Sequence, residues 1–536
     1  MSGHRISWRA RARLGVGAAV GALAASAVAA CAGAVPARHP GPDTGLVVAT
    51  AGGTVRGATS QDATEKFLGI PYAAPPVGSL RWRPPQPAGR WHGVREATHF
   101  APHCPQPPSP SGVASMSEDC LYLNVFAPGS VHGARRLPVM VWIHGGSLVT
   151  GESDDYDPAG LAHDGVIVVT INYRLGALGF LAHPALAGRA GGPSGNYGLM
   201  DQQAALRWVQ RNIAGFGGDP RDVTIFGESA GGLSVLAQLA SPGARGLFSR
   251  AIAESGTYNL TQAPLARAEA AGEAFAAGAG CESQTAACLR SLPLSTILDI
   301  QDPAYYPDID GQLLTQPLPA AFTSGQFSRV PVINGANHDE GRLDVAFAEL
   351  SGSPVTAANY HSMIASTLGV SAAAAAVVAA HYPLSAYSSP SVALGAVDTD
   401  PIGACSALAA DRALSKYVPT YAYEFNDEHA PELFLPPVSF PYGATHESEI
   451  QYLLSQPAAA FPQVLSPRQQ QLAAAMKQYW TNFANRGFPS SLTGPPWPRF
   501  DSASHRVLSL TSPLPHVETD LATEHKCAFW AAFRPG

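Results

Sequence analysis

Residues 222–240 read DVTIFGESAGGLSVLAQLA, and their reading decides the fold. Asp222–Phe226 is a short β-branched and aromatic run that predicts a strand. Residues 230–240 are small and aliphatic and predict a helix. Between them stands Gly227-Glu228-Ser229-Ala230-Gly231, a G-x-S-x-G sequence in the strand–turn–helix setting that gives this pattern its meaning. The glycines let the chain reverse sharply. Ser229 is then held in strained backbone geometry with its Oγ presented, and the Ala230 N–H opens the helix. A helix N-terminus favours negative charge.

The pattern extends outward on both sides. Residues 137–143 (LPVMVWI), 165–172 (GVIVVTIN), 330–334 (VPVIN) and 419–425 (PTYAYEF) are further predicted strands. Residues 200–214 carry apolar side chains at helical spacing. Continuous apolar strands alternating with helices imply an α/β protein whose mostly parallel central sheet is covered by helices on both faces. The Ala-rich stretch 371–381 predicts a peripheral helix, and 105–117, rich in Pro and Ser, a loop. The chain has 536 residues, 46% of them apolar and 14% charged, with a formal charge of −7. A net acidic chain without a basic face argues against a nucleic-acid partner.

The N-terminus reads as a targeting segment. Arg5, Arg9, Arg11 and Arg13 precede the small apolar run 14–30, the two parts of a secretory signal. It spans residues 1–31, with residues 30 and 34 as the other endings. Ala32-Gly33-Ala34 suits a small-residue cleavage site. Val28-Ala29-Ala30-Cys31 suits a lipobox in which Cys31 is lipidated and attaches the protein to a membrane. Residues 32–44 form a Pro-rich linker, and 45–536 the folded domain. Setting Cys31 aside leaves six cysteines. An even number in an exported chain suggests disulfides, and six allow fifteen pairings. The spacing gives no metal-binding pattern.

Two more segments carry chemistry. His144-Gly145-Gly146-Ser147 follows the strand at 138–143. Backbone N–H groups aimed at a developing oxyanion need glycines that allow close approach. Gly146, Ser147 and Ala230 are the candidate donors, with Gly145 supplying the turn. A nucleophile–acid–base order along the chain then selects a carboxylate near 339–340 and a later histidine. Asp339 and Glu340 are neighbours that spacing alone does not separate. Asp308 and Asp310 are weaker candidates, as are His338 and His429 beside His446.

Several long motifs stand in order around these segments: FLGIPYAAPPVGSLRW at 67–82, EDCLYLNV at 118–125, NYRLGALGFL at 172–181 and GNYGLMDQQAALRWV at 195–209. With the elbow they resemble the type-B carboxylesterases and cholinesterases of the α/β-hydrolase fold, over roughly residues 45–536. The resemblance implies an exported serine ester hydrolase, secreted or at the cell surface. It would act on small-molecule esters without a cofactor or metal. Ser229 is then the nucleophile, His446 in G-x-x-H-x-x-E-I the base, and Glu340 in G-x-N-x-D-E-G the acid that orients it. Glu228 faces the gorge in support of His446, and Ser255 hydrogen-bonds on the acid's side. Arg81–Glu118 and Arg174–Asp201 are implied structural ion pairs, and Asp310-Gly311 a structural turn. The family's order pairs Cys104–Cys120, Cys281–Cys288 and Cys405–Cys527.

Ser147 departs from the family, which usually has a third glycine there. The Cys104–Cys120 loop holds no Trp, so recognition of a quaternary ammonium by an aromatic face is not expected. Trp142 and Trp208 are expected in the core. A lipase acting on long-chain acylglycerols is the alternative enzyme. A non-catalytic cholinesterase-like binding domain is the alternative of another class.

Overall fold

A computed structural model describes residues 46–534, apart from 110–111, 130–135, 188–193 and 303. The expected signal segment, the expected linker and Cys31 lie outside the described residues. An eleven-stranded sheet forms the centre. Its strands in chain order are β1 (Ala58–Thr59), β2 (Thr64–Pro71), β3 (Tyr122–Pro128), β4 (Leu137–Ile143), β5 (Ile167–Ile171), β6 (Gly218–Glu228), β7 (Arg250–Glu254), β8 (Val332–Asn337), β9 (Thr420–Phe425), β10 (Val507–Leu510) and β11 (His516–Glu518). They lie side by side as β11-β10-β9-β8-β7-β6-β4-β5-β3-β2-β1. The run from β10 to β5 is parallel throughout, and the outer pairs are antiparallel. This is the mostly parallel α/β-hydrolase sheet.

Strand β4 explains why both faces are covered. Its side chains alternate, and every one from Pro138 to Ile143 is buried. Val139, Val141 and Ile143 join a core with residues of helices Tyr197–Asn212 and Ala230–Ala240. Met140 and Trp142 join the opposite core with residues of Pro467–Arg486. That last helix starts with a capping box, Ser466 and Gln469 each satisfying the other's backbone N–H. Trp142 and Trp208 are both buried, as their sequence context implies.

The predicted elements are present with shifted ends. Strands 137–143 and helix 230–240 match their predicted bounds. The strand predicted at 330–334 runs instead from Val332 to Asn337, because each of its residues pairs with β9. The helix predicted at 200–214 starts at Tyr197 and yields to a 3-10 turn at Ile213. The Ala-rich segment forms helix Ala372–His381, which packs in a separate helical cluster.

The strand ends position the site. In the parallel register Ile143 stands opposite Gly227, Glu228 opposite Glu254, and Glu254 opposite Gly335. The loops leaving β4, β6, β7 and β8 therefore emerge side by side at the carboxyl ends of the strands, where open α/β sheets bind ligands.

Candidate active site

The elbow is sterically forced. A Cβ on Gly227 would lie 2.4 Å from the Ile143 carbonyl oxygen, and one on Gly231 only 1.9 Å from it. With glycine at both positions the helix starts hard against β4. Ser229 between them has φ 54° and ψ −120°, a sparsely populated conformation that surrounding structure must hold. Its N–H donates to the Glu254 carbonyl at 2.9 Å, and its own carbonyl accepts from Leu233 at 2.8 Å. The Ala230 N–H is one of the first helical donors, which have no acceptor within the helix.

The turn after β4 lies against this elbow. A Cβ on Gly145 would stand 3.2 Å from the Ser229 Cβ and 2.9 Å from Glu228 Oε2. Gly146 has φ 90°, and its carbonyl accepts from both Val149 and Thr150 at 2.9 Å. Ser147 and Leu148 follow with φ 55° and 59°. Ser147 thus adopts the left-handed conformation that suits glycine, with its side chain exposed. His144 is buried beneath, stacked on Tyr173, whose hydroxyl donates to the His144 carbonyl at 2.7 Å. Burial pushes the His144 imidazole down to about 4, so it is neutral.

The acid and the histidine meet. Glu340 Oε2 is in a short hydrogen bond with His446 Nδ1. Its other oxygen accepts the Asn337 N–H at 2.7 Å. His446 Nε2 lies 3.2 Å from Glu228 Oε1. Ser229 Oγ and His446 form no hydrogen bond in this structure, so the three side chains share one site with the serine–histidine link open. Burial opposes a charge on His446, but the carboxylates of Glu228 and Glu340, the hydrogen bond that Nδ1 donates to Glu340 and the nearby Glu447 outweigh it and push the imidazole well up. Burial also pushes Glu228 well up, against the pull of His446.

Other sequence candidates separate from these. Asp339 binds the Ala444 backbone and His338 instead of the imidazole of His446. Asp310 accepts the N–H groups of Gln312, Leu313 and Leu314 at 2.7–3.1 Å, the structural turn expected of it. Asp308 is buried next to that turn, where Asn196 donates to its carbonyl. The His429 N–H donates to Asp427. Ser255 requires correction: its hydroxyl is buried and makes no hydrogen bond among the described residues. Ser255 serves the backbone, its N–H donating to the Gly335 carbonyl at φ 49°.

Arg81 grips Glu118 with two nitrogens, and Arg174 grips Asp201 at 2.7 Å through two nitrogens. Disulfides join Cys104–Cys120, Cys281–Cys288 and Cys405–Cys527.

Asn337, Glu449 and Glu254 support the site without having been singled out by sequence. Asn337 Nδ2 donates to the Thr445 carbonyl at 2.7 Å and to Glu449 at 2.6 Å. Glu449 is pushed up to about 7 by burial and the Glu340 charge. Burial pushes Glu254 well up, with one oxygen held by the Trp480 indole N–H at 2.9 Å. Asn337 and Glu449 stand within the motifs around Glu340 and His446, which was the available signal.

The family model described as the carboxylesterase family matches residues 44–530. This chain belongs to the carboxylesterase family. As a carboxylesterase it is 36% identical to the fumonisin B1 esterase of Sphingopyxis macrogoltabida over 87% of each chain. It is 35% identical to the para-nitrobenzyl esterase of Bacillus subtilis, covering 90% of this chain and 97% of that one. The cholinesterase of Mus musculus is 35% identical over 91% of this chain and 87% of its own length. Carboxylesterase activity on small-molecule esters follows from this membership. A purely binding role is not the reading that these relatives support.

Proposed function

We propose that the carboxylesterase works through an acyl-enzyme on Ser229. His446 takes the Ser229 proton as the hydroxyl attacks the ester carbonyl. The N–H groups of Gly146, Ser147 and Ala230 receive the oxyanion. The imidazolium, steadied by Glu340, returns its proton to the leaving alcohol. Water then repeats the sequence on the acyl-enzyme. For the first step Nε2 turns from Glu228 to Ser229 Oγ, since catalytic hydrogen bonds often close only with substrate bound.

The observation that carries this reading is the Glu340–His446 contact beside a serine held at φ 54°. Ser229→Ala tests it. Folded variant should lose at least about a thousandfold in turnover, and a fluorophosphonate should label Ser229 of the parent. More than a tenth of parental turnover in the variant would sink the assignment. A series of p-nitrophenyl esters from short to long separates an esterase from the lipase alternative.

We also propose that the protein is exported, either secreted after cleavage near Ala34 or anchored at the cell surface through Cys31. The basic and apolar N-terminal run and three disulfides support an oxidising location. Mass analysis of the mature N-terminus distinguishes an acylated Cys31 from cleavage after Ala34.

A further inference from the structure

The residue next to the candidate acid grips the loop that carries the candidate base. The Asp339 N–H donates to the Ala444 carbonyl at 3.0 Å, and Asp339 Oδ2 accepts the Ala444 N–H at 3.0 Å. Ala444 is therefore held at both of its backbone groups by a single residue. Thr445 is held next, by Asn337 Nδ2. Arg342 Nη1 donates to the Pro441 carbonyl at 3.2 Å. The chain entering His446 is thus fixed at three points by the segment around Glu340.

The remaining Asp339 oxygen is itself fixed. Oδ1 stands 2.8 Å from Arg342 Nη2 and 3.1 Å from His338 Nδ1. His338 Nε2 reaches Glu524 at 3.1 Å. Burial disfavours the cation on His338, but the hydrogen bonds to Asp339 and Glu524 and the charge of Glu424 prevail and push it up to about 11. Close packing completes the grip: a Cβ on Gly443 would stand 2.1 Å from Asp339 Oδ2. Asp339 is 6% exposed.

We propose that Asp339 is a positioning residue for catalysis, a two-point clamp on Ala444 that sets where the His446 imidazole stands relative to Ser229. The proposal rests on the acyl-enzyme reading given above. It assigns Asp339 no contact with substrate. Its effect comes through alignment, since misplacing a catalytic group by about 1 Å can cost ~100-fold in rate.

The carboxylate chemistry explains why a close mimic fails. Oδ1 faces two donors and Oδ2 faces a third. A carboxamide has one acceptor oxygen and one donor NH₂. In Asp339→Asn the NH₂ must oppose either the two cations or the Ala444 N–H. The cations claim the oxygen, and the Ala444 side of the clamp opens.

The test is Asp339→Asn and Asp339→Ala in the full chain, assayed on a short-chain p-nitrophenyl ester. Active sites are counted by fluorophosphonate labelling of Ser229 carried to completion, which removes misfolded protein from the rate. For Asp339→Asn we expect kcat per labelled site to fall about five- to twentyfold, with KM within about twofold of the parent. Asp339→Ala should lose at least as much wherever it folds. A kcat per labelled site within twofold of the parent in Asp339→Asn, whatever its thermal stability, would reduce Asp339 to a structural role and overturn the clamp. Failure of the parent chain to label at Ser229 would instead overturn the acyl-enzyme reading on which the clamp rests.

Discussion

Glu228 Oε1 stands 3.2 Å from His446 Nε2, the nitrogen that a general base needs free for Ser229. Glu340 occupies the opposite nitrogen. The imidazole is thus bracketed by two carboxylates in a buried setting, and its proton is held more firmly than burial alone would allow.

In the proposed mechanism this bracket sets the acidic limb of activity. His446 must be neutral to accept the Ser229 proton, and the neighbouring carboxylates favour its cation. Glu228 is the foremost of the groups that raise His446, so its replacement lowers the pH at which His446 loses its proton. Glu228→Gln should therefore move the acidic limb of kcat/KM to lower pH. A pH–rate profile of parent and variant measures the shift directly. A limb that stays put, or moves to higher pH, would show that Glu228 does not hold the proton on His446.

The two neighbouring carboxylates at 339 and 340 should differ sharply in effect. Glu340→Gln replaces the partner of His446 Nδ1 with a group that can fix the wrong tautomer and cannot stabilise an imidazolium. Loss of about a hundredfold or more in kcat is expected. Asp339→Asn, acting only through Ala444, should be milder. Steady-state rates of both variants on one ester decide the order, and the reverse order would place the acid one residue earlier.

Much of this site was legible because its residues must occupy special backbone or a fixed chain order. Gly227 and Gly231 are forced by contact with the Ile143 carbonyl, so the sequence around Ser229 had little freedom to disguise itself. Motifs single out Glu340 and His446, and the structure brings the two side chains together. Asn337, Glu254 and the clamp at Asp339 are not singled out in this way. Their partners are main-chain groups or acids far along the chain, such as Ala444 and Glu449, and no local pattern encodes such a pairing. Ser255 shows the converse. A residue in the right motif can serve its backbone alone, as its buried hydroxyl makes no hydrogen bond among the described residues. Strand β8 likewise runs past its predicted end because pairing with β9 continues to Asn337, a tertiary effect beyond local propensity.

Ser147 carries a cost that its usual family counterpart avoids. Its φ of 55° is disfavoured for a residue with a Cβ by roughly 1 kcal/mol. Ser147→Gly should therefore raise the melting temperature, offset in part by the greater freedom that glycine has when unfolded. Because Ser147 is exposed and lies two residues after Gly145, which packs on Ser229, the variant should also accept bulkier acyl groups relative to acetate. Calorimetry and an acyl-chain series read the two effects. A lower melting temperature with an unchanged acyl preference would show that Ser147 makes contacts worth more than the strain.

His525 offers a test of buried charge. It is buried, with Nδ1 2.7 Å from Asp400 Oδ1 and Nε2 2.7 Å from Glu424 Oε1. Both ring nitrogens face acceptors, so the ring is a cation shared by two carboxylates, with Lys526 Nζ a further 4.0 Å from Asp400 and His338 stacked edge-on. Burial alone would discharge His525. The charge of Glu424 and the hydrogen bonds to Asp400 and Glu424 push it up to about 10. An unfolded histidine titrates near ~6.5. The folded protein thus binds this proton more tightly, and the stability it contributes is complete below about pH 6.5. That contribution is lost as pH rises through about 10. Near neutrality His525→Gln should cost about 3–5 kcal/mol, the usual result of leaving buried charges without a partner. The cost should shrink steadily as the pH is raised toward 10.5, because the parent loses its cation while the variant has none to lose. Denaturant titrations of parent and variant at several pH values give the difference. A cost that stays constant across that range would mean that His525 is neutral in the folded protein, and that one of its two carboxylate partners carries the proton instead.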